Sequence, residues 1–98
     1  MRKPIKIRGE AEVDIDEAYR WYVERGRWLG EAFLRELDAA LESIQRNPLA
    51  YPVVLQDIRR ALLWKFPYGV FYVDEPDVIV VVACFHVRRD PRGWSSRR

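Results

Sequence analysis

Residues 78–85 read Val-Ile-Val-Val-Val-Ala-Cys-Phe, with no polar break. A half-exposed strand alternates apolar and polar residues; this run does not. It predicts a β-strand buried on both faces, central in its sheet. The run is too short to cross a bilayer. A chain of 98 residues must therefore provide strands beside it and a layer above it. The expectation is one domain spanning residues 1–98.

The rest of the chain offers the pieces. Ile5, Lys6, Ile7 and Arg8 alternate, as in a short first strand. Asp14 has the look of a helix N-cap, and Glu17 three residues on completes a capping-box spacing. Ile15, Ala18, Tyr19 and Tyr22 follow at helical intervals, and Gly26 is a suitable stop. A longer stripe of Leu29, Phe33, Leu37, Ala40, Leu41 and Ile44 predicts a second helix, ended by Asn47-Pro48. The short link makes the two an antiparallel hairpin. Leu49 to Gln56 reads as a loop broken by Pro52.

From Arg59 the period becomes two. Arg60, Leu62, Trp64 and Phe66 fall on one face, and Arg59, Ala61, Leu63 and Lys65 on the other. Tyr68 to Val73 gives the next strand, and Asp74 to Asp77 a turn. The predicted fold is α+β with two layers: a helical hairpin packed on a mainly antiparallel four-stranded sheet, in the order β-α-α-β-β-β.

Composition narrows the function. Hydrophobic residues at 49% and charged residues at 33% mark a globular chain. Aromatic residues at 13% exceed what a small core hides, so some rings are expected to face a partner. One Cys excludes an internal disulfide and a cysteine-ligated zinc site. No metal or cofactor is expected. Without a signal peptide or a membrane span, the expected location is the cytoplasm. The net charge is only +2, but Arg88, Arg89, Arg92, Arg97 and Arg98 face Asp90 alone at the end of the chain. That basic end suits an acidic or phosphate-bearing partner, or serves as a solubilising tail.

Chemistry rests on cations and rings at strand positions: Arg59, Arg60, Lys65, Tyr68, His86, Arg88, Arg89 and Trp94. Antiparallel strands bring such residues side by side. A metal-free ribonuclease needs a base, an acid and a cation for the phosphorane charge. His86 is the single histidine, the residue type most often used as a general acid or base. The same residues also have structural readings. His86 can be a hydrogen-bonded strand end, Arg88-Arg89-Asp90 a salt-bridged exit from the sheet, and Trp94 a lid folded back over it. With the apolar run ending at Phe85, the core is expected to be complete before Arg88. Residues beyond Asp90 are then expected to be dispensable for folding.

Four stretches carry a resemblance: DIDEAYRWYVERG, LGEAFLRELDAALESIQRNPLAYPVV, IRRALLWKFPYGVFYV and VIVVVACFHVRRDPRGW. In this order, over roughly residues 10–94, the chain resembles the RelE/ParE superfamily of toxins from bacterial type II toxin–antitoxin modules, some of them called plasmid stabilization proteins. The resemblance implies a first strand lying beside the last. It also implies a cognate antitoxin, forming a hetero-oligomer with the toxin and neutralising it. Trp21, Trp28 and Trp64 are the candidates for docking an amphipathic antitoxin segment.

The superfamily divides by target. RelE-like members cut mRNA on the ribosome; there His86, Arg60, Lys65 and Arg89 would be the catalytic set. ParE-like members poison DNA gyrase without bond chemistry; there Arg59, Tyr68, Arg88, Arg89 and Trp94 would contact the target. RelE-like toxins often carry Arg where this chain has Gly69, and a catalytic Tyr near a C-terminus that here offers Trp94. FPYGVFY and FHVRRDPRGW resemble the ParE type more closely, so a gyrase-directed toxin is the leading expectation. A ribosome-dependent mRNA endonuclease and a degenerate, non-toxic antitoxin-binding scaffold are the alternatives.

Overall fold

The computed structural model describes residues 2–97. Five strands and three helices run in the order β1 (Ile5–Ile7), α1 (Gly9–Arg25), α2 (Arg27–Arg46), β2 (Val53–Leu55), β3 (Ile58–Leu62), β4 (Tyr68–Asp74), β5 (Ile79–His86) and α3 (Arg92–Ser95). The sheet order is β1-β5-β4-β3-β2. β1 lies beside β5 and runs parallel to it, whereas the other three pairings are antiparallel.

The sheet thus has five strands and is mixed, not four-stranded. The added strand, β2, lies within the segment expected to be a loop. Its three residues are all exposed, so no burial pattern marks it. Its pairing with β3 is irregular between Val53 and Leu55, and the turn passes through Gln56 at a positive φ of 49°. A short, irregular edge beside Pro52 resists pairing with other chains.

The apolar run Val78–Phe85 forms most of β5. Every residue from Ile79 to Phe85 is buried. Toward the helical hairpin the sheet turns Ile79, Val81, Val70, Tyr72 and Cys84, which pack with Phe33, Leu37 and Ile44 of α2. The opposite face carries Ile58, Phe71, Val73, Val80, Val82 and Phe85, and Trp94 covers part of it. Tyr72 is completely buried, and its hydroxyl donates to the Pro48 carbonyl at 2.5 Å. A buried phenol needs such a partner, and the bond fixes the loop that follows α2.

The helical hairpin turns at one residue. Gly26 (φ 159°, ψ 129°) takes a backbone conformation rare for L side chains. Four residues on, Gly30 lets the helices touch. A Cβ there would lie 2.3 Å from Val23 Cγ2 and 3.0 Å from Tyr19 Cε1. Gly30→Ala is therefore expected to cost about 1–3 kcal/mol through overpacking. A lowered midpoint in urea at unchanged slope checks this.

Helix α1 begins at Gly9, a turn and a half before the cap expected at Asp14. Arg8 precedes it and makes no side-chain cap; Glu10 and Glu12 in the first turn favour the helix dipole instead. Asp14 is a mid-helix residue with another task. β1 stops at Ile7, whose partner is Val81. Beyond that, Val82 O and Cys84 N–H have no β1 residue beside them. The register of β5 against β4 also shifts here. Asp14 Oδ2 accepts the Cys84 N–H at 3.0 Å, and Arg97 Nη1 donates to Val82 O at 3.1 Å. The same guanidinium meets Asp14 Oδ2 at 2.6 Å. Side chains from both ends of the chain thus satisfy a strand edge left open.

Candidate functional site

Strand β3 ends at Leu62, and the alternation expected to run on to Phe66 is broken there. Residues 63–67 fold into a loop closed by three bonds. Leu63 N–H donates to Tyr68 O at 2.9 Å, Tyr68 N–H to Phe66 O at 2.7 Å, and Lys65 N–H to Glu36 Oε1 at 2.8 Å. The loop turns Phe66 inward, 4.8 Å from the Tyr22 ring and 5.5 Å from that of Phe33. Trp64 is pushed outward and is 87% exposed.

This loop, the tip of the helical hairpin and the ends of β4 and β5 enclose a cleft of about 570 Å³. Tyr22, Leu29, Phe66 and Tyr68 make its apolar floor, and Trp21 stands at one wall. Lys65, His86 and Arg89 line it as well, and no acidic side chain does. A second cleft, of about 580 Å³, adjoins it. It runs along α2 past Trp28, Ala32 and Ala39, and shares Leu29, Lys65 and Phe66 with the first. Trp28 is 68% exposed.

The cleft's electrostatics follow from its packing. Burial raises the phenols of Tyr22 and Tyr68 above their ordinary range; Arg89 opposes this at Tyr68, and Glu17 of α1 adds to it. Both remain neutral O–H groups at physiological pH. His86 pairs with Tyr68 across the sheet, with ring centroids 5.4 Å apart. Its Nδ1 accepts the Arg88 N–H at 3.1 Å, so in the neutral ring Nε2 carries the proton. Arg89 reaches around the sheet end, its guanidinium 4.5 Å from the Phe85 ring centre.

The residues singled out in the sequence separate. His86, Lys65, Arg89, Tyr68 and Trp21 come together in the cleft. Arg60 does not. It pairs with Phe71, on the face bearing Trp94, while Tyr68 and His86 face the hairpin. Its stem lies over Gly69, where a Cβ would come within 3.0 Å of Cγ and Cδ, and its Nε is buried without a hydrogen-bond partner among the described residues. Arg59 donates from Nη1 to the Tyr51 carbonyl at 2.7 Å and so holds the loop after α2. Arg88 is exposed. Asp90 pairs with Arg92, not with Arg88 or Arg89, and that contact lowers its pKa. Arg98 lies outside the described residues.

Trp94 is buried at 7% exposure, its ring 4.2 Å from that of Phe71 and stacked on it. A ring so placed offers a partner little surface, which favours the lid among the sequence readings. Truncation after Asp90 would remove both this lid and Arg97, so residues beyond Asp90 belong to the fold. The cleft floor was missed because Tyr22 and Phe66 read as ordinary core positions. The bend that brings them together depends on Glu36 in another element.

Cys84 carries no reactivity into the site. Burial, with Asp14 adding to it, pushes its thiol up to about 12. Burial likewise pushes the Tyr72 phenol up to about 12. The unfolded chain releases these protons at lower pH than the folded one, from the ordinary values of 9.0 for Cys and 10.0 for Tyr. This contribution to stability is whole below pH 9.0 and is lost as pH rises toward about 12. The native thiol is expected to resist Ellman's reagent at pH 8. Denaturant midpoints should fall in alkaline solution as far as about pH 12. Labelling at the rate of the unfolded chain would contradict the assignment.

No helix among the described residues is long and apolar enough to cross a membrane, and none of their His, Cys, Asp and Glu side chains group to hold a metal. A two-layer sheet with a helical hairpin on one face and an apolar, cation-rimmed cleft at the sheet end describes the protein's class. The same fold occurs in the structure titled "Chromosomal ParDE TA system from P. aeruginosa", with a TM-score of 0.77. Identity is 16%, over 87% of this chain and 96% of the other. Residues 5–91 match the family described as "ParE toxin of type II toxin-antitoxin system, parDE". The chain belongs to this ParE toxin family, within the RelE/ParE superfamily. A search of curated protein sequences found no match.

Proposed function

We propose that the chain is a growth-inhibiting toxin that acts on DNA gyrase by binding and is neutralised by a cognate antitoxin in the cytoplasm. Membership of the ParE family supports the toxin class. One observation carries the choice of a binding mechanism over RNA cleavage. Arg60 lies on the opposite face of the sheet from His86, with strand β4 between their strands, so the two do not meet at a common reacting atom. The cation that stabilises a phosphorane must sit at the same phosphate as the acid and the base, so Arg60 cannot serve beside His86. The remaining residues, His86, Lys65 and Arg89, line an apolar cleft suited to a protein surface.

Antitoxin is proposed to cover the two adjoining clefts, with Trp21, Trp28 and Trp64 along its path. Expression without antitoxin should arrest growth, with filamentous cells and an induced DNA-damage response. Gyrase supercoiling in vitro should fall as toxin is added. Undiminished supercoiling at a large molar excess of toxin that arrests growth would refute the gyrase reading. New mRNA 5′ ends within reading frames of arrested cells would favour endonuclease action. Harmless expression of the folded, antitoxin-free chain would favour a degenerate scaffold.

A further inference from the structure

Away from the two clefts, one side chain is left without a counterpart. Arg60 is part-buried on the sheet face opposite the hairpin. Its Nε is the one buried side-chain nitrogen or oxygen among the described residues that lacks a hydrogen-bond partner. No ion pair among the described residues takes up its charge. A buried donor without an acceptor destabilises a fold, so a chain that keeps one calls for an acceptor from outside. The Arg60 stem lies flat on β4 because Gly69 has no side chain; a Cβ there would come within 3.0 Å of Cγ and Cδ. A guanidinium held in this way loses little freedom when it meets a ligand.

Arg60 lines a hollow of about 230 Å³ together with Tyr51, Pro52 and Leu62. No carboxylate and no second cation lines it. Leu62, two residues along β3 and on the same face, is 54% exposed. Val53, Val54 and Leu55 of the neighbouring edge strand are exposed as well. We propose that this edge is a second contact surface, which takes a carboxylate side chain presented by an apolar segment of a partner protein. Arg60 receives the carboxylate, and Leu62 and Pro52 pack against its apolar neighbours. The inference rests on the proposed toxin reading for the identity of the partner, which is the target protein. It adds that the target is held at the β2–β3 edge, away from the clefts proposed for antitoxin. Two of the residues expected at the target, Arg59 and Trp94, are instead engaged within the fold.

A nucleic-acid phosphate would also answer a guanidinium, but the hollow does not suit it. Phosphate backbones are held by rows of cations. This hollow has one, set among apolar side chains. Arg59, the next residue, turns to the other face and donates to the Tyr51 carbonyl. The Tyr51 hydroxyl is taken up by Ser43 at 2.6 Å, so it adds no free donor for a phosphate. A single part-buried Arg ringed by apolar contacts has the composition of a protein–protein hot spot.

The test uses the purified full chain, isotope-labelled for nuclear magnetic resonance, and follows the Arg60 Nε–H and the Leu62 amide. The probes are an end-capped Leu-Glu-Leu peptide, its Leu-Gln-Leu isostere, inorganic phosphate and oligothymidylate. The Glu peptide should give saturable shifts and bind roughly tenfold more tightly than the Gln peptide, and salt should shrink the difference. Arg60→Gln should remove that preference, read at the Leu62 amide. Gly69→Ala keeps the guanidinium but displaces its stem, and should weaken the Glu peptide. Arg46→Gln, at the far end of α2, should change nothing. In the gyrase supercoiling assay, Arg60→Gln should need roughly tenfold more toxin than the native chain for equal inhibition. Circular dichroism checks that each variant is folded.

Equal binding of the Glu and Gln peptides to the native chain would overturn the proposal, as would a preference that survives Arg60→Gln. Phosphate or oligothymidylate shifts larger than those of the Glu peptide would replace the protein carboxylate with a nucleic acid. Full gyrase inhibition by the Arg60→Gln chain would overturn the assignment of this edge to the target. A native chain that binds the Glu peptide but leaves gyrase untouched would instead sink the gyrase reading and leave the site standing.

Discussion

Truncating the chain after Asp90 is expected to abolish the native fold, and Trp94→Ala alone to cost about 3–5 kcal/mol. Trp94 is buried, stacks on Phe71 at 4.2 Å, and closes the sheet face opposite the hairpin. Next to it, Gly93 sits so close to Phe85 that a Cβ would lie 2.5 Å from the ring. Removing the indole leaves a cavity over Phe71 that its rigid sheet neighbours cannot close. A domain of this size has only about 5–15 kcal/mol in total. The melting temperature should fall by roughly 12 °C or more for the point variant. The truncation also deletes Arg97 and leaves Asp14 buried without its cation. A truncated chain that melts like the parent would show that the terminal segment is a detachable lid. Arg88→Ala, by contrast, alters an exposed residue and should stay within about 0.5 kcal/mol of the parent.

This contrast shows where the sequence is legible and where it is not. Val78 to Phe85 announced a strand covered on both faces, and β5 is that strand. The helical stripe from Leu29 to Ile44 gave α2, because regular burial of one face leaves a regular trace. What covers the second face of β5 left no regular pattern, and Trp94 as a lid was one reading among several. Trp94 stands among arginines and a proline, in a four-residue helix too short to show a period. β2 was hidden for a related reason. Its three residues are exposed, so pairing with β3 alone defines it. The site was half legible. His86, Lys65, Tyr68 and Arg89 were read from residue type and share a cleft. Arg60 was grouped with them by residue type, although the alternation of β3 already put it on the face opposite Lys65. The register with Phe71 fixes that face.

Asp14 gives the second large expected effect. A cap residue is exposed, and its replacement by Ala costs typically about 1 kcal/mol. Asp14 is not a cap. Its side chain is 8% exposed, its Oδ2 accepts the Cys84 N–H at 3.0 Å, and the Arg97 guanidinium grips both oxygens at 2.6 and 3.3 Å. Asp14→Ala would strand a guanidinium that is itself 17% exposed, and would orphan a backbone N–H of the central run. Breaking one side of a fully buried pair costs about 3–5 kcal/mol, and this part-buried pair should lose somewhat less. Asp14→Asn keeps an oxygen for the Cys84 N–H and should cost less. The decisive comparison is a double-mutant cycle with Arg97→Met. Removing both charges leaves no uncompensated ion, so the double variant should be more stable than Asp14→Ala alone. Additive losses would mean that the two residues act independently. The pair ties α1, the open edge of β5 and the last described residue into one unit. The cations at the exit of β5 can then be presented at a fixed place, because the chain on both sides of them is anchored: β5 before, and Trp94 with Arg97 after.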